Sequence, residues 1–242
     1  MLFRSVSKAV SFSMGMGNTI GPVINQKANE PHAESYKTYM ASVAVTAPED
    51  MGFLSGSTLY AGIVNGYNNG ADYTQSSYYL GATLNTPVKN LKVGASFDYL
   101  ATTGYHSGSS DSDGDAAALT LYTSFQASEK LSLHLRGEYV ETDTNLLGTR
   151  GNTPGEADPE GGFGYTGLAG GNSKIFALTS TLQYDLWNNV LSRLEMRWDH
   201  QCGDGDMTGW GNNTAGGAVL GTPAVYTKRN NVAFIANFIY KF

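Results

Sequence analysis

A single cysteine, Cys202, occurs in the 242 residues, so no intrachain disulfide can staple this fold, and no CxxC or His-rich neighbourhood makes that thiol a metal ligand. Charge is scarce as well: charged residues make up 15%, well below the roughly 25% of ordinary soluble domains. Fifteen Lys and Arg face 21 Asp and Glu, for a net charge of -6, and no basic cluster is present that could track a phosphate backbone. Nucleic acid is therefore not expected as a partner. The longest strictly apolar run, Val232 to Ala236, is five residues, far short of the ~20 that a spanning helix requires. That excludes a helical membrane protein. The residues in excess are 30 glycines and 15 tyrosines, which favour turns and strands.

The apolar pattern has a period of two. In Val10-Ser11-Phe12-Ser13-Met14-Gly15-Met16-Gly17 large apolar residues alternate with small ones, which puts the two sets on opposite faces of a strand. The same alternation predicts strands near 6–17, 36–46, 58–66, 76–85, 91–102, 116–126, 131–142, 174–186, 190–200 and 231–242. Most exceed the five or six residues of a typical soluble strand and approach the 9–11 that cross a bilayer at a tilt. The predicted connections alternate in length. Segments 85–90, 127–130 and 187–189 are short, with 47–57 the longest on that side, whereas 18–35, 67–75, 103–115, 143–173 and 201–230 are long and polar. Short turns at one end and long loops at the other describe an antiparallel up-and-down barrel of the outer-membrane type. The long segments hold four basic and twelve acidic residues, net -8, which makes the loop rim acidic.

Two strands show the faces most clearly. In 190–200, Leu194, Met196 and Trp198 alternate with Arg193, Glu195, Arg197 and Asp199; in the last strand, Val232, Phe234, Ala236, Phe238, Tyr240 and Phe242 share one side. In a soluble barrel the charged row faces outside water, and in a membrane barrel it lines an aqueous lumen. Periodicity alone does not choose; strand length and loop asymmetry favour the membrane. The first residues lack the continuous apolar core of a secretory signal, and residues 1–242 are expected to form one barrel domain, the carboxy-terminal part of a larger barrel.

The carboxy terminus Asn237-Phe238-Ile239-Tyr240-Lys241-Phe242 resembles the signal of bacterial outer-membrane barrels, with Phe238, Tyr240 and Phe242 as its aromatic residues. More specifically, Leu59-Tyr60-Ala61-Gly62-Ile63-Val64-Asn65-Gly66, Val93-Gly94-Ala95-Ser96-Phe97-Asp98-Tyr99, Leu182-Gln183-Tyr184-Asp185-Leu186-Trp187 and Arg197-Trp198-Asp199-His200 look like the OmpL-like β-barrel porin family. The resemblance implies a passive diffusion channel for small hydrophilic solutes and ions, without cofactor or covalent step. It also implies residence in the bacterial outer membrane among lipid and lipopolysaccharide, insertion by the barrel-assembly machinery, and self-association of the kind common among porins. A non-conducting barrel that acts structurally or adhesively through its long loops is the alternative.

The expected pore-lining wall consists of His134, Arg136 and Glu138 on one strand, Gln183 on the next, and Arg193, Glu195, Arg197 and Asp199 on the third. Such a mixed-sign wall sets ion preference through its local field; the competing expectation is that these groups pair across strands and only hold shape. A Ser132–His134–Glu138 relay fails on spacing, because same-face neighbours lie about 6.6 Å apart along a strand and a nucleophile and base need about 3 Å. Asp111-Ser112-Asp113-Gly114-Asp115 lacks the glycine and glutamate spacing of a calcium loop and is expected to be a solvated acidic loop, as is Asp204-Gly205-Asp206. The glycine-rich stretch 161–171 is expected to be a flexible loop that can fold inward. Tyr99, Tyr184, Trp187, Trp198 and Tyr240 are expected at the membrane interfaces.

Overall fold

The computed structural model describes residues 2–5, 9–18, 36–68, 73–107, 110–142, 173–202, 210–212 and 226–240. Its strands are β1 Leu2–Ser5, β2 Val10–Gly17, β3 Thr38–Thr46, β4 Thr58–Asn68, β5 Tyr73–Asn85, β6 Leu91–Ser107, β7 Ser110–Gln126, β8 Leu131–Thr142, β9 Ser173–Trp187, β10 Val190–Cys202, β11 Trp210–Asn212, β12 Tyr226–Lys228 and β13 Asn230–Tyr240. One sheet runs β1-β2-β3-β4-β5-β6-β7-β8-β9-β10-β13, every neighbour antiparallel, while β11 and β12 form a separate small hairpin between β10 and β13. The chain is all-β and up-and-down: the ten expected strands are present in sequence order and the four-residue β1 is added at one edge. Among the described residues the sheet is open, with β1 and β13 as its two edges.

Two expectations about connections are corrected. Segment 103–115 is not a long loop, because β6 runs to Ser107 and β7 begins at Ser110. A register shift after Thr102 is followed by the pairs Tyr105–Ser112, His106–Asp111 and Ser107–Ser110. Polar composition suggested a loop there, but a hairpin can extend in strand form whether or not its residues are apolar. For the same reason β4 and β5 reach Asn68 and Tyr73 and leave only 69–72 between them. The first predicted strand, 6–17, is in fact β2 from Val10, paired back onto Leu2–Ser5. The acidic run beginning at Asp111 is therefore backbone-paired strand.

Register sorts the side chains into two faces. One row reads Phe12, Val43, Ala61, Leu80, Phe97, Leu119 and Tyr139 across seven strands; the adjacent row on the other side reads Ser11, Ala44, Tyr60, Gly81, Ser96, Thr120 and Glu138. The usual burial order is inverted. Large apolar residues of the first face are open, up to 73% for Phe234 and 74% for Phe238, while the most buried side chains are mainly polar ones, among them Thr142 at 2% and Asp199 at 7%. A soluble sheet of this size buries its apolar face against another layer, and among the described residues no second layer covers this one.

At the short-turn end the connection 47–57 curls over the polar face. Gly52 and Gly56 carry φ of 59° and 76°, a left-handed backbone that residues with a Cβ rarely adopt. The Asn85 backbone N–H donates to Ser57 Oγ at 2.9 Å, and Asn85 Nδ2 donates to the Ser55 carbonyl at 2.6 Å. This ties the connection to the end of β5.

Candidate functional site

Strands β8, β9 and β10 bring all eight expected wall residues onto the polar face in four successive rows. These are Ser132–Gln183–Arg193, His134–Thr181–Glu195, Arg136–Thr179–Arg197 and Glu138–Ala177–Asp199. Alternation explains the shared face: each residue lies two positions from the next on its own strand. Registry explains the rows.

The charged groups bond mainly along strands. Arg136 pairs with Glu138, and Arg197 Nε donates to Asp199 Oδ1 at 2.7 Å. Both are i, i+2 pairs, so these ion pairs run along their own strands and not across strands, as the competing expectation had it. The carboxylates sit deeper than their partners, with side-chain exposures of 17% and 10% against 49% and 32% for the arginines. Thr120 Oγ1 also donates to Glu138, at 3.2 Å. Arg193 and Glu195 carry charges that no ion pair matches among the described residues: Arg193 Nε donates to Gln183 Oε1 at 2.9 Å, and Glu195 accepts from Thr181 at 3.0 Å. Among the described residues the wall thus holds two compensated pairs, one cation and one anion without an ion-pair partner.

His134 Nε2 lies 3.2 Å from Ser132 Oγ, which corrects the spacing argument. The ~6.6 Å repeat separates backbone positions, and side chains leaning along the strand close the gap. Glu138 does not complete a relay, since it is engaged by Arg136 and Thr120.

Sequence reasoning missed the tyrosines of this face. Tyr122 lies flat over Gly94 on the neighbouring strand and is held by hydroxyl contacts with Thr83 Oγ1 at 2.9 Å and the Ala82 carbonyl at 3.1 Å. A Cβ at position 94 would run into that ring. Gly94→Ala should therefore destabilise the folded protein by about 1–3 kcal/mol, the cost of overpacking. Gly137→Ala, where nothing lies within 4 Å, should be neutral or slightly stabilising. Urea unfolding from lipid vesicles compares the two, and equal effects would remove the packing role assigned to Tyr122. The readable signal was parity: counting by twos from Lys92 gives Gly94, Ser96 and Asp98 on the polar face, with Gly94 facing Tyr122.

The apolar face carries aromatic residues toward both ends. Toward the loop end are Tyr78 and Tyr99, with ring centroids 6.3 Å apart, and Phe176 packed edge-on against Trp198 at 6.0 Å. Trp198 Nε1 donates to Asn230 Oδ1 at 3.0 Å, so its polar edge is satisfied. Toward the turn end are Tyr184, Trp187, Phe238 and Tyr240, all exposed. Trp198 pairs with Val232 and Val190 with Tyr240; eight strand residues span about 26 Å along the strand, or about 20 Å of membrane depth at the ~35–45° tilt of such strands.

The chain matches the family described as Putative beta-barrel porin-2, OmpL-like, over residues 10–242. It belongs to that family. No curated protein matches the sequence at a significant level. For an OmpL-like porin the two-faced sheet is the family's barrel architecture, and a porin family points to a non-enzymatic barrel. Phe238 and Tyr240 occupy the exposed apolar side of β13. Phe242, the stretch 161–171 and the Asp204-Gly205-Asp206 run lie outside the described residues.

Proposed function

We propose that this OmpL-like porin is a passive diffusion channel of the bacterial outer membrane for small hydrophilic solutes and ions. The observation that carries the reading is the inverted sheet: exposed aromatic and aliphatic residues on one face, and a wall of hydrogen-bonded arginines and carboxylates on the other. In this reading the apolar face meets lipid and lipopolysaccharide and the polar face lines water. Residues 1–242 contribute one barrel domain, and β13 carries the aromatic signal for the insertion machinery. Both sheet edges must be hydrogen-bonded in the membrane, because each unsatisfied backbone group in hydrocarbon costs several kcal/mol. Self-association of barrels is compatible with this arrangement.

Planar-bilayer recording of the refolded chain under a salt gradient tests the reading. Discrete conductance steps are expected. Arg193→Ala should move the reversal potential toward cation preference, because among the described residues Arg193 is the wall cation without a carboxylate partner. Liposome swelling should fall off with increasing sugar size. A chain that inserts and stays electrically silent would overturn the channel reading in favour of a structural or adhesive barrel.

A further inference from the structure

At the short-turn end, where the 47–57 connection folds over the polar face, a cavity of about 540 Å³ opens between that connection and the β5–β6 turn. This lies within the roughly 300–1,000 Å³ typical of small-ligand sites. Its lining includes Lys89, Lys92, Asn85, Ser124, Gln126 and Phe53. No carboxylate lines it; Glu49 and Asp50 lie on the same connection but not in the cavity wall. Among the described residues neither lysine has a salt bridge or hydrogen bond. Two ammonium groups that share one concave site repel each other and raise the local potential for anions.

Two amide groups of the lining are already committed. Asn85 Nδ2 is spent on the Ser55 carbonyl, and Gln126 Nε2 on the Ser128 carbonyl at 2.7 Å. The charged donors of the lining are the two lysines. Phe53 adds a flat apolar surface, 56% exposed although it faces the polar side of the sheet. Lipid contact does not account for an open aromatic there.

We propose that this cavity is a binding site for small organic anions that join a carboxylate to a flat apolar body, the charge held by Lys89 and Lys92 and the body resting on Phe53. This deepens the channel reading by naming a solute class at one mouth of the pore. Binding is measured apart from conduction, so that either can fail alone.

The test is fluorine NMR titration of the full chain, folded in detergent, with a fluorinated benzoate and with the matching fluorobenzyl alcohol. The benzoate should bind and the alcohol should not. Lys89→Gln with Lys92→Gln should weaken the benzoate by roughly tenfold or more, and Phe53→Ala should weaken the benzoate while leaving acetate unaffected. Heat-modified gel mobility shows that each variant is folded. Benzoate binding unchanged in the double lysine variant, alcohol binding as tight as benzoate, or no benzoate binding by the wild type would each overturn the site. Conductance steps without binding would overturn the site alone, and binding without steps would overturn the channel reading alone.

Discussion

Leu194→Arg should abolish stable insertion of this OmpL-like porin, whereas Ile235→Arg, one strand away, should be tolerated. Leu194 pairs with Ala236, midway between the level of Trp198 and that of Tyr240. It stands 56% exposed on the apolar face. An arginine there would sit at the bilayer midplane, where such a substitution costs about 2–4 kcal/mol in membrane barrels. That corresponds to a loss of roughly 30-fold to 1,000-fold in the folding equilibrium. Ile235 lies on the polar face and pairs with Glu195, the wall anion without an ion-pair partner among the described residues. On the channel reading, an arginine at 235 enters water beside a carboxylate. Folding yield into lipid vesicles, read as the shift in gel mobility on heating, compares the two. Equal losses, or a tolerated Leu194→Arg, would mean that the apolar face does not meet lipid.

This contrast turns on the property that was most legible in the sequence. Strict alternation needs no tertiary information: in 193–199 charged residues alternate with apolar ones, and the pleat alone assigns their faces. The strands 131–142, 174–186 and 190–200 were therefore found nearly to the residue, and all eight wall residues fell on one face. Composition was a poorer guide to where strands end. Asp111 to Asp115 reads as loop because acids are rare in buried strands, yet the β6–β7 hairpin includes it. Nothing local distinguishes a polar strand from a polar loop; its pairing partner decides.

Contacts within a face were legible only in part. Parity says which residues share a side, but the lean of each side chain decides whether neighbours touch. That lean joins Arg136 to Glu138, Arg197 to Asp199 and His134 to Ser132 along their own strands. The fit of Tyr122 over Gly94 depends on registry between two strands, which a one-dimensional pattern does not specify. The folding of 47–57 over the polar face rests on two glycines of positive φ and on Asn85, which is 28 positions beyond Ser57. Gly52 and Gly56 could be read from the sequence; the partner that receives the turn could not.

The second large effect is expected from the paired carboxylates. On the channel reading proposed above, replacing Glu138 by Gln and Asp199 by Asn together should turn the channel toward anions, and replacing Arg136 and Arg197 by Gln should turn it toward cations. Arg136 and Arg197 share one row with Thr179 between them, and Glu138 and Asp199 share the next, with the small, buried Ala177 between them. The two rows cancel at close range. The amides keep an acceptor oxygen for Thr120 and for the arginines, so the geometry survives while two negative charges are lost. The freed arginines then act with Arg193 on the same wall. The permeability ratio for chloride over potassium should rise by at least roughly twofold, since a charged, narrow surface raises the local concentration of counter-ions. Salt concentration separates charge from shape. At 0.1 M the screening length is about 10 Å, and at 1 M about 3 Å. A shift in reversal potential that is present at the lower concentration and collapses at the higher one identifies the field of Arg136 and Arg197 as its source. A shift that persists at 1 M would mean that the substitutions changed the width of the pore, and the assignment of selectivity to these two rows would fall.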